Sequence, residues 1–435
     1  MTRKWGKAVA LVAVAVVLAV VAGAGSHDAR AVLPAGNAAQ QWDKIAEDTI
    51  VGSGAFQNEG FVYMGYVSQA MDDAVSPGER RGQSGDAAIV EAAYTVLSHY
   101  FPQQQANLDA LHQQALDAIP NSQAKVVGAR YGANQAGKDI AAREGDGLQT
   151  PIGSTSSFPT KAPGPGVWRL TPPLFQAPQT PWVGSVRPFI LDSADRFLPP
   201  PPPSLQSPEW VAAFNEVKLH GSSTNPNTTE TTTAKFWTAN VIRQYNGLAR
   251  DVATAQGLDL VQTARLIAMI NMIGADAQIS LMHAKYHYLF WRPVTAIDPT
   301  SVNAADGFGP ATGYDDGNPL TVEQPGWRPL LATPNHPEYP SAHGSITSAV
   351  AEVLTNVLGT DAINVDIHGF DPSGPAGNLN AVRHFATAAD LRTEIENARI
   401  WGGLHYRFSA EAGVTLGQEV ADYDLAHAFS GHGDK

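Results

Sequence analysis

The sequence predicts a mainly α-helical protein built from helix bundles. Three observations carry that expectation. Apolar residues recur three and four apart from about Ala35 to Arg143 and again beyond about Thr229. Strand-type alternation is sparse, and no segment repeats with a fixed period of roughly 20 to 50 residues. The chain has 435 residues, 43% hydrophobic and 16% charged, a composition that suits a folded globular protein with a sizeable core.

The elements follow in order. Arg3, Lys4 and Lys7 precede an unbroken apolar run from Ala8 to Ala22, small residues, and then the polar Ser26, His27 and Asp28. A run of 15 is shorter than the ~20 residues a spanning helix needs. Residues 1–31 therefore read as a secretory signal peptide, cleaved after Ala24 or Ala31, with an uncleaved anchor as the alternative. The expected mature protein is secreted and has no membrane span. Residues 32–150 form an N-terminal helical region; the stretch from Asp86 to Leu97 is an example, with Asp86 as its N-cap. Leu108, Leu111, Leu116 and Ile119 continue the pattern until Pro120 stops it.

Residues 151–208 hold 15 of the 31 prolines, five of them consecutive from Pro199 to Pro203. Proline removes a backbone donor and fixes φ, so this segment must be a wrap or linker. Trp168, Leu170, Phe175, Trp182, Phe189 and Phe197 punctuate it, which favours a belt pressed onto the helical body. Residues 209–435 read as a C-terminal helical bundle with helices near Thr229–Gln256, Leu258–Trp291, Ser345–Leu358, Ala386–Trp401 and Phe408–Phe429. Asp259, Arg265, Asn271 and Asp276 make the long apolar run after Leu258 a buried helix.

Composition narrows the chemistry. With no cysteine there are no disulfides, thiolate nucleophiles, Cys-based zinc sites or ordinary iron–sulfur clusters. A formal charge of −13 argues against a nucleic-acid partner. Reactive groups must come from His, Ser, Arg, Lys or carboxylates.

Three segments supply them. In Lys285-Tyr-His-Tyr-Leu-Phe-Trp-Arg292-Pro293, seven residues at about 100° each bring Arg292 back to the helix face of Lys285, and Pro293 ends or bends the helix. The aromatic neighbours argue for burial of both cations, which then need a shared anion. In His336-Pro-Glu-Tyr-Pro340-Ser341-Ala342-His343, Ser341 sits at an N-cap, followed by free helix amides and a histidine. In Arg399-Ile-Trp-Gly402-Gly403-Leu-His405, the paired glycines permit a break, so Arg399 closes one helix and His405 opens the next. Three cations, a helix N-terminus and two histidines suit a tetrahedral oxyanion such as phosphate or vanadate.

This ordered set resembles the signature of the superfamily uniting type-2 phosphatidic acid phosphatases, bacterial acid phosphatases and vanadium-dependent haloperoxidases. The resemblance implies that Lys285, Arg292 and Arg399 bind the equatorial oxygens, with Ser341 and the Ala342 amide adding hydrogen bonds. It implies that His405 is the axial group, a vanadium ligand in a haloperoxidase or the phosphohistidine nucleophile in a phosphatase, and that His343 is the acid/base. One cage serves both chemistries because bound vanadate resembles the transition state of phosphoryl transfer.

Two positions depart from the usual pattern. Ala342 stands where the family has glycine before the motif histidine, and Ser409 stands where an aspartate four residues after the axial histidine usually orients it. The missing carboxylate tilts the reading away from phosphohistidine chemistry. Length and the long N-terminal helical region favour the haloperoxidase branch, with vanadate as cofactor and hydrogen peroxide and halide as substrates. The alternative is a secreted phosphatase acting on a phosphate ester. His336, seven residues before His343, falls where the resemblance implies halide tuning, and a histidine there resembles bromoperoxidases. His283 and His287, four apart, lack a third ligand for zinc, and Asp306, Asp315 and Asp316 match no defined calcium loop.

Overall fold

The computed structural model describes residues 32–76, 82–303, 314–370 and 379–429. Residues 1–31, read from the sequence as a signal peptide, and Asp306 lie outside the described residues. From Leu33 onward the chain packs as one compact unit. Five helices come first: α1 (Ala38–Gly52), α2 (Gln57–Val75), α3 (Gly85–Tyr100), α4 (Gln105–Ala118) and α5 (Gln123–Ala142). Helix α3 is capped by Ser84, whose hydroxyl accepts from the Ala87 amide; the expected cap, Asp86, is the second residue of the helix, within its first turn. Helix α2 is buried on almost every face, as expected of a central helix rather than a surface one.

The second half carries α6 (Pro208–His220), α7 (Thr228–Phe236), α8 (Val241–Ala255), α9 (Leu260–Ala268), α10 (Gly274–Tyr288), α11 (Pro293–Ile297), α12 (Ala342–Leu358), α13 (Ala388–Trp401) and α14 (Arg407–Ala428). A π-helical turn, Met269–Ile273, joins α9 to α10 without a break. The combined helix is apolar and long enough to cross a membrane, yet 94% of its apolar window is buried inside the protein. The strands are one antiparallel pair, β1 (Val365–Gly369) and β2 (Ala381–Phe385), with Ile367 opposite Arg383.

Close helix packing depends on glycine. A Cβ on Gly417 would lie 2.0 Å from the Ser345 carbonyl oxygen, and one on Gly413 2.4 Å from that of Ser341. Helix α14 therefore runs hard against the first turns of α12. In the N-terminal half, Gly132 of α5 meets the Ala88 carbonyl of α3 in the same way, at 2.0 Å.

The proline-rich segment is pressed onto this body, with Trp168 and Trp182 each 2% exposed. Three of its amides, those of Phe189, Ile190 and Leu191, donate to the buried Asp276 carboxylate of α10. Further along, the hydroxyls of Tyr288 and Tyr339 donate to the Pro199 and Pro200 carbonyls.

The belt also corrects one expectation. Lys285 and Arg292 do not share a helix: α10 ends at Tyr288, with Leu289 in the left-handed region at φ 50°. The reason is tertiary. The Trp168 amide donates to the Leu289 carbonyl at 2.7 Å and the Trp291 amide to that of Gly166 at 3.2 Å, so Phe290 pairs with Val167 instead of continuing the helix. Arg292 is then extended and stands as the N-cap of α11, as a residue before proline prefers.

Candidate active site

The three motif segments meet around a cavity of about 100 Å³. Ser341 caps α12, its hydroxyl accepting from the Gly344 amide at 3.4 Å. The amides of Ala342 and His343 open that helix, where no intrahelical acceptors exist. Arg399 lies in the last turn of α13, the chain turns at Gly402 and Gly403 (φ 74°), and His405 arrives just before the N-cap of α14. A side chain at Gly403 would strike the Gly221 carbonyl, so the tight return is held by backbone contact.

His336, Ala342, His343, Arg399 and His405 line the cavity. The structure extends the wall beyond the motifs: Gln57 and Asn58 from α2, Gln179 from the belt, Gln278 and Met282 from α10, and Ile346 from α12 complete it. None of these carried a sequence signal, because neutral side chains, most of them far from the histidines in the chain, cannot be assigned to a pocket without the fold.

Lys285, Arg292 and Ser341 stand behind this lining. Lys285 is fully buried, and its ammonium donates to the carbonyls of Pro337, Glu338 and Pro340 at 2.9, 2.8 and 2.5 Å. Three acceptors match the three protons of an ammonium. The lysine therefore fixes the loop that carries the second motif and adds charge from behind; donating directly to an anion would require releasing a carbonyl. Arg292 holds the same loop and the third motif, with Nε donating to the His336 carbonyl at 3.0 Å and Nη1 to that of Leu404 at 2.9 Å. Its Nη1 also lies 3.4 Å from His405 Nε2, and Nη2 lies 3.0 Å from His336 Nδ1.

Arg399 differs from both. It is 3% exposed, its Nε is buried without an acceptor, and its guanidinium has no protein partner among the described residues. Burial, with the charge of Arg292, pushes its pKa down to about 9. Burial and the surrounding cations push the imidazoles of His336, His343 and His405 well below the ordinary histidine range, so all three are neutral at pH 7. The site thus gathers cations and N–H donors against a single carboxylate, and an orphaned buried guanidinium needs an anion. A tetrahedral oxyanion such as vanadate or phosphate fits this donor set.

That carboxylate, Glu338, was missed in the sequence although it lies inside the second motif. Its Oε1 is 2.7 Å from His405 Nδ1 and accepts the Tyr406 amide at 3.1 Å. Ser409 Oγ is 3.4 Å from the same Nδ1. The histidine is therefore backed by a carboxylate after all, supplied from another part of the chain. Burial lifts Glu338 to about 7, against the pull of Arg292 and Lys285.

The other polar clusters take no part. His287 is exposed and His283 faces the Gly184 carbonyl, so neither reaches the cavity. Asp316 accepts from the Trp210 indole and the Thr321 hydroxyl and organises its own loop. Among the described residues no group of three or more His, Asp or Glu is placed to hold a metal ion.

Comparisons with known proteins converge on one family. The family model described as the VCPO second helical-bundle domain matches residues 265–432, the stretch that holds all three motifs. The vanadium chloroperoxidase of Curvularia inaequalis is 24% identical over 299 residues, which is 55% of this chain and 47% of that protein. Over its motif-bearing C-terminal part the chain is similar to the vanadium haloperoxidases. It spans about half the length of that curated relative. The haloperoxidase fold extends over nearly the whole chain. The structure of a bacterial vanadium-dependent iodoperoxidase superposes with a TM-score of 0.70 at 21% identity, covering 91% of this chain and 97% of the other. The apo form of a bacterial vanadium-dependent chloroperoxidase gives 0.64 at 16% identity, covering 84% and 94%. The match thus includes the N-terminal helices and the belt, not only the motif-bearing bundle.

Proposed function

We propose that this protein is an exported vanadate-dependent haloperoxidase that oxidises halide, bromide in preference to chloride, with hydrogen peroxide. The observation that carries the reading is the buried, unpartnered guanidinium of Arg399, set beside His405, His343 and the open amides of α12. When bound, vanadate supplies Lewis-acid activation of hydrogen peroxide for transfer of an oxygen equivalent to halide. The chain's own part is to bind and orient. Arg399 and the Ala342 and His343 amides hold negative oxygens, and Lys285 and Arg292 add charge from behind them. His405 would hold the bound group through Nε2. His343, neutral and without a protein hydrogen bond among the described residues, takes up or returns a proton at the cavity face. Met282 and Ile346 limit access of water.

The preference for bromide rests on His336. Its neutral ring lines the cavity and is held by Arg292, in the place where the family resemblance implies halide tuning. Export rests on the basic start and apolar run at the N-terminus. A second reading, a phosphomonoesterase acting through phosphohistidine, is favoured by the Glu338 carboxylate behind His405.

The test uses protein lacking the signal segment, purified without phosphate and divided into portions with and without orthovanadate. Bromide and chloride oxidation with hydrogen peroxide is assayed beside hydrolysis of a chromogenic phosphate ester, with His405→Ala as control. Vanadate-dependent bromide oxidation that disappears in the variant supports the haloperoxidase reading. Ester hydrolysis that vanadate inhibits, without halide oxidation, overturns it in favour of the phosphatase. Equal rates with chloride and bromide refute the halide preference.

A further inference from the structure

Helix α12 and His405 are joined by one side chain that the motif pattern does not include. Glu338 is fully buried and is held at its backbone and at one carboxylate oxygen. Its amide donates to the Phe290 carbonyl at 2.9 Å, and its own carbonyl accepts from Lys285 Nζ at 2.8 Å. Its Oε1 receives the Tyr406 amide at 3.1 Å and lies 2.7 Å from His405 Nδ1. Burial and the two contacts of Oε1 hold this oxygen against the imidazole.

We propose that Glu338 is the positioning residue of His405, holding the Nδ1–H tautomer so that the bare Nε2 lone pair faces the anion cavity. The Tyr406 amide can only donate, so Oε1 accepts it, and with the carboxylate ionised the close Nδ1 contact places the proton on Nδ1. Nε2 is left as an acceptor, 3.4 Å from Arg292 Nη1 and open to the cavity. Ser409 Oγ, also 3.4 Å from Nδ1, makes a longer contact that carries no charge. The loop before α12 thus supplies the carboxylate that the chain lacks at position 409. The inference rests on His405 being the group that meets the bound oxyanion; the tautomer itself does not depend on which oxyanion binds.

The arrangement predicts that the carboxylate can be moved. Serine 409 is buried beside the same nitrogen, so an aspartate there can replace Glu338 once the glutamate side chain is removed. The experiment uses the anion-free protein with 15N-labelled histidine, the His405 signal being assigned by its loss in His405→Gln. The expected result is an Nδ1–H tautomer in the wild type, loss of that tautomer in Glu338→Ala, and its return in Glu338→Ala/Ser409→Asp. Glu338→Gln, which keeps an acceptor oxygen of the same shape, should retain the tautomer and guards against failure of the alanine variant to fold. Orthovanadate affinity, read by equilibrium dialysis, should fall on the order of 10- to 100-fold in Glu338→Ala and recover to within about threefold in the double variant.

An Nε2–H tautomer in the wild type overturns the proposal without any variant. So does an unchanged tautomer in Glu338→Ala, or a double variant that folds but regains neither tautomer nor affinity. A wild type that binds no orthovanadate yet shows the tautomer shifts refutes the cofactor reading and upholds the positioning role.

Discussion

Arg399→Met gives a test in which stability and binding must move in opposite directions. The guanidinium is 3% exposed and unpartnered among the described residues, and burial pushes its pKa well below the ordinary arginine range, to about 9. Holding it charged at pH 7 therefore costs the anion-free protein on the order of 5 kcal/mol. Methionine keeps most of the volume and removes the charge, with ~1 to 2 kcal/mol lost to imperfect packing. The net gain is about 3 kcal/mol. With an unfolding entropy near 2.1 cal/mol/K per residue, a folded body of about 400 residues should melt roughly 3 to 5 °C higher. Binding goes the other way. Losing two charge-assisted hydrogen bonds to an oxyanion weakens affinity by about 3 kcal/mol or more, on the order of 100-fold. Calorimetry in anion-free buffer and equilibrium dialysis with orthovanadate read the two effects. A lower melting temperature, or unchanged affinity, would refute the claim that this arginine is held for an anion.

Three other outcomes follow from the packing and the buried acids. His343→Gln should cut turnover at least tenfold while changing vanadate affinity less than threefold, because the ring faces the cavity without holding any part of the fold; dialysis and rate assays separate the two. Gly417→Ala and Gly132→Ala each force a methyl group into a carbonyl oxygen and should cost roughly 2 to 3 kcal/mol in denaturant melts. Only the first should also weaken anion binding, since α12 and α14 carry the site. Asp424 is buried against Asp276 and its pKa is raised to about 10. At this group the folded state binds more protons than the unfolded chain between about pH 4 and 10, so its contribution to stability falls as pH rises through that window, by at most ~1.4 kcal/mol per unit. Asp424→Asn should flatten the fall; an unchanged slope in melts at pH 5, 7 and 9 would count against the assignment.

Much of this was legible in the sequence because local rules and chemistry agreed. The helix after Ser341, the break at Gly402 and Gly403, and the burial of the Asp276 helix all follow from residue type and spacing. The failures have physical causes. The Lys285–Arg292 face argument assumed a continuous helix, and the belt 120 residues upstream removed its last turn by pairing Val167 with Phe290. Ser84 displaced Asp86 as a cap because a serine two residues earlier reached the Ala87 amide. Glu338 escaped notice because a partner for His405 was sought only along its own helix. Its signal was a buried acid between two prolines, beside a motif rich in cations.

The cavity wall contributed by Gln57 and Asn58 has a consequence for treating the motif-bearing bundle as a transplantable module. Residues 265–432 contain every charged group of the site, but its wall comes partly from the first and middle thirds of the chain. Lifted out alone, that stretch would leave Arg399 more open to water. The effective dielectric around it would rise from about 20 toward 80, and its attraction for an oxyanion at a given distance would drop about fourfold. The neutral amides of α2 thus set how strongly charges they never touch can act.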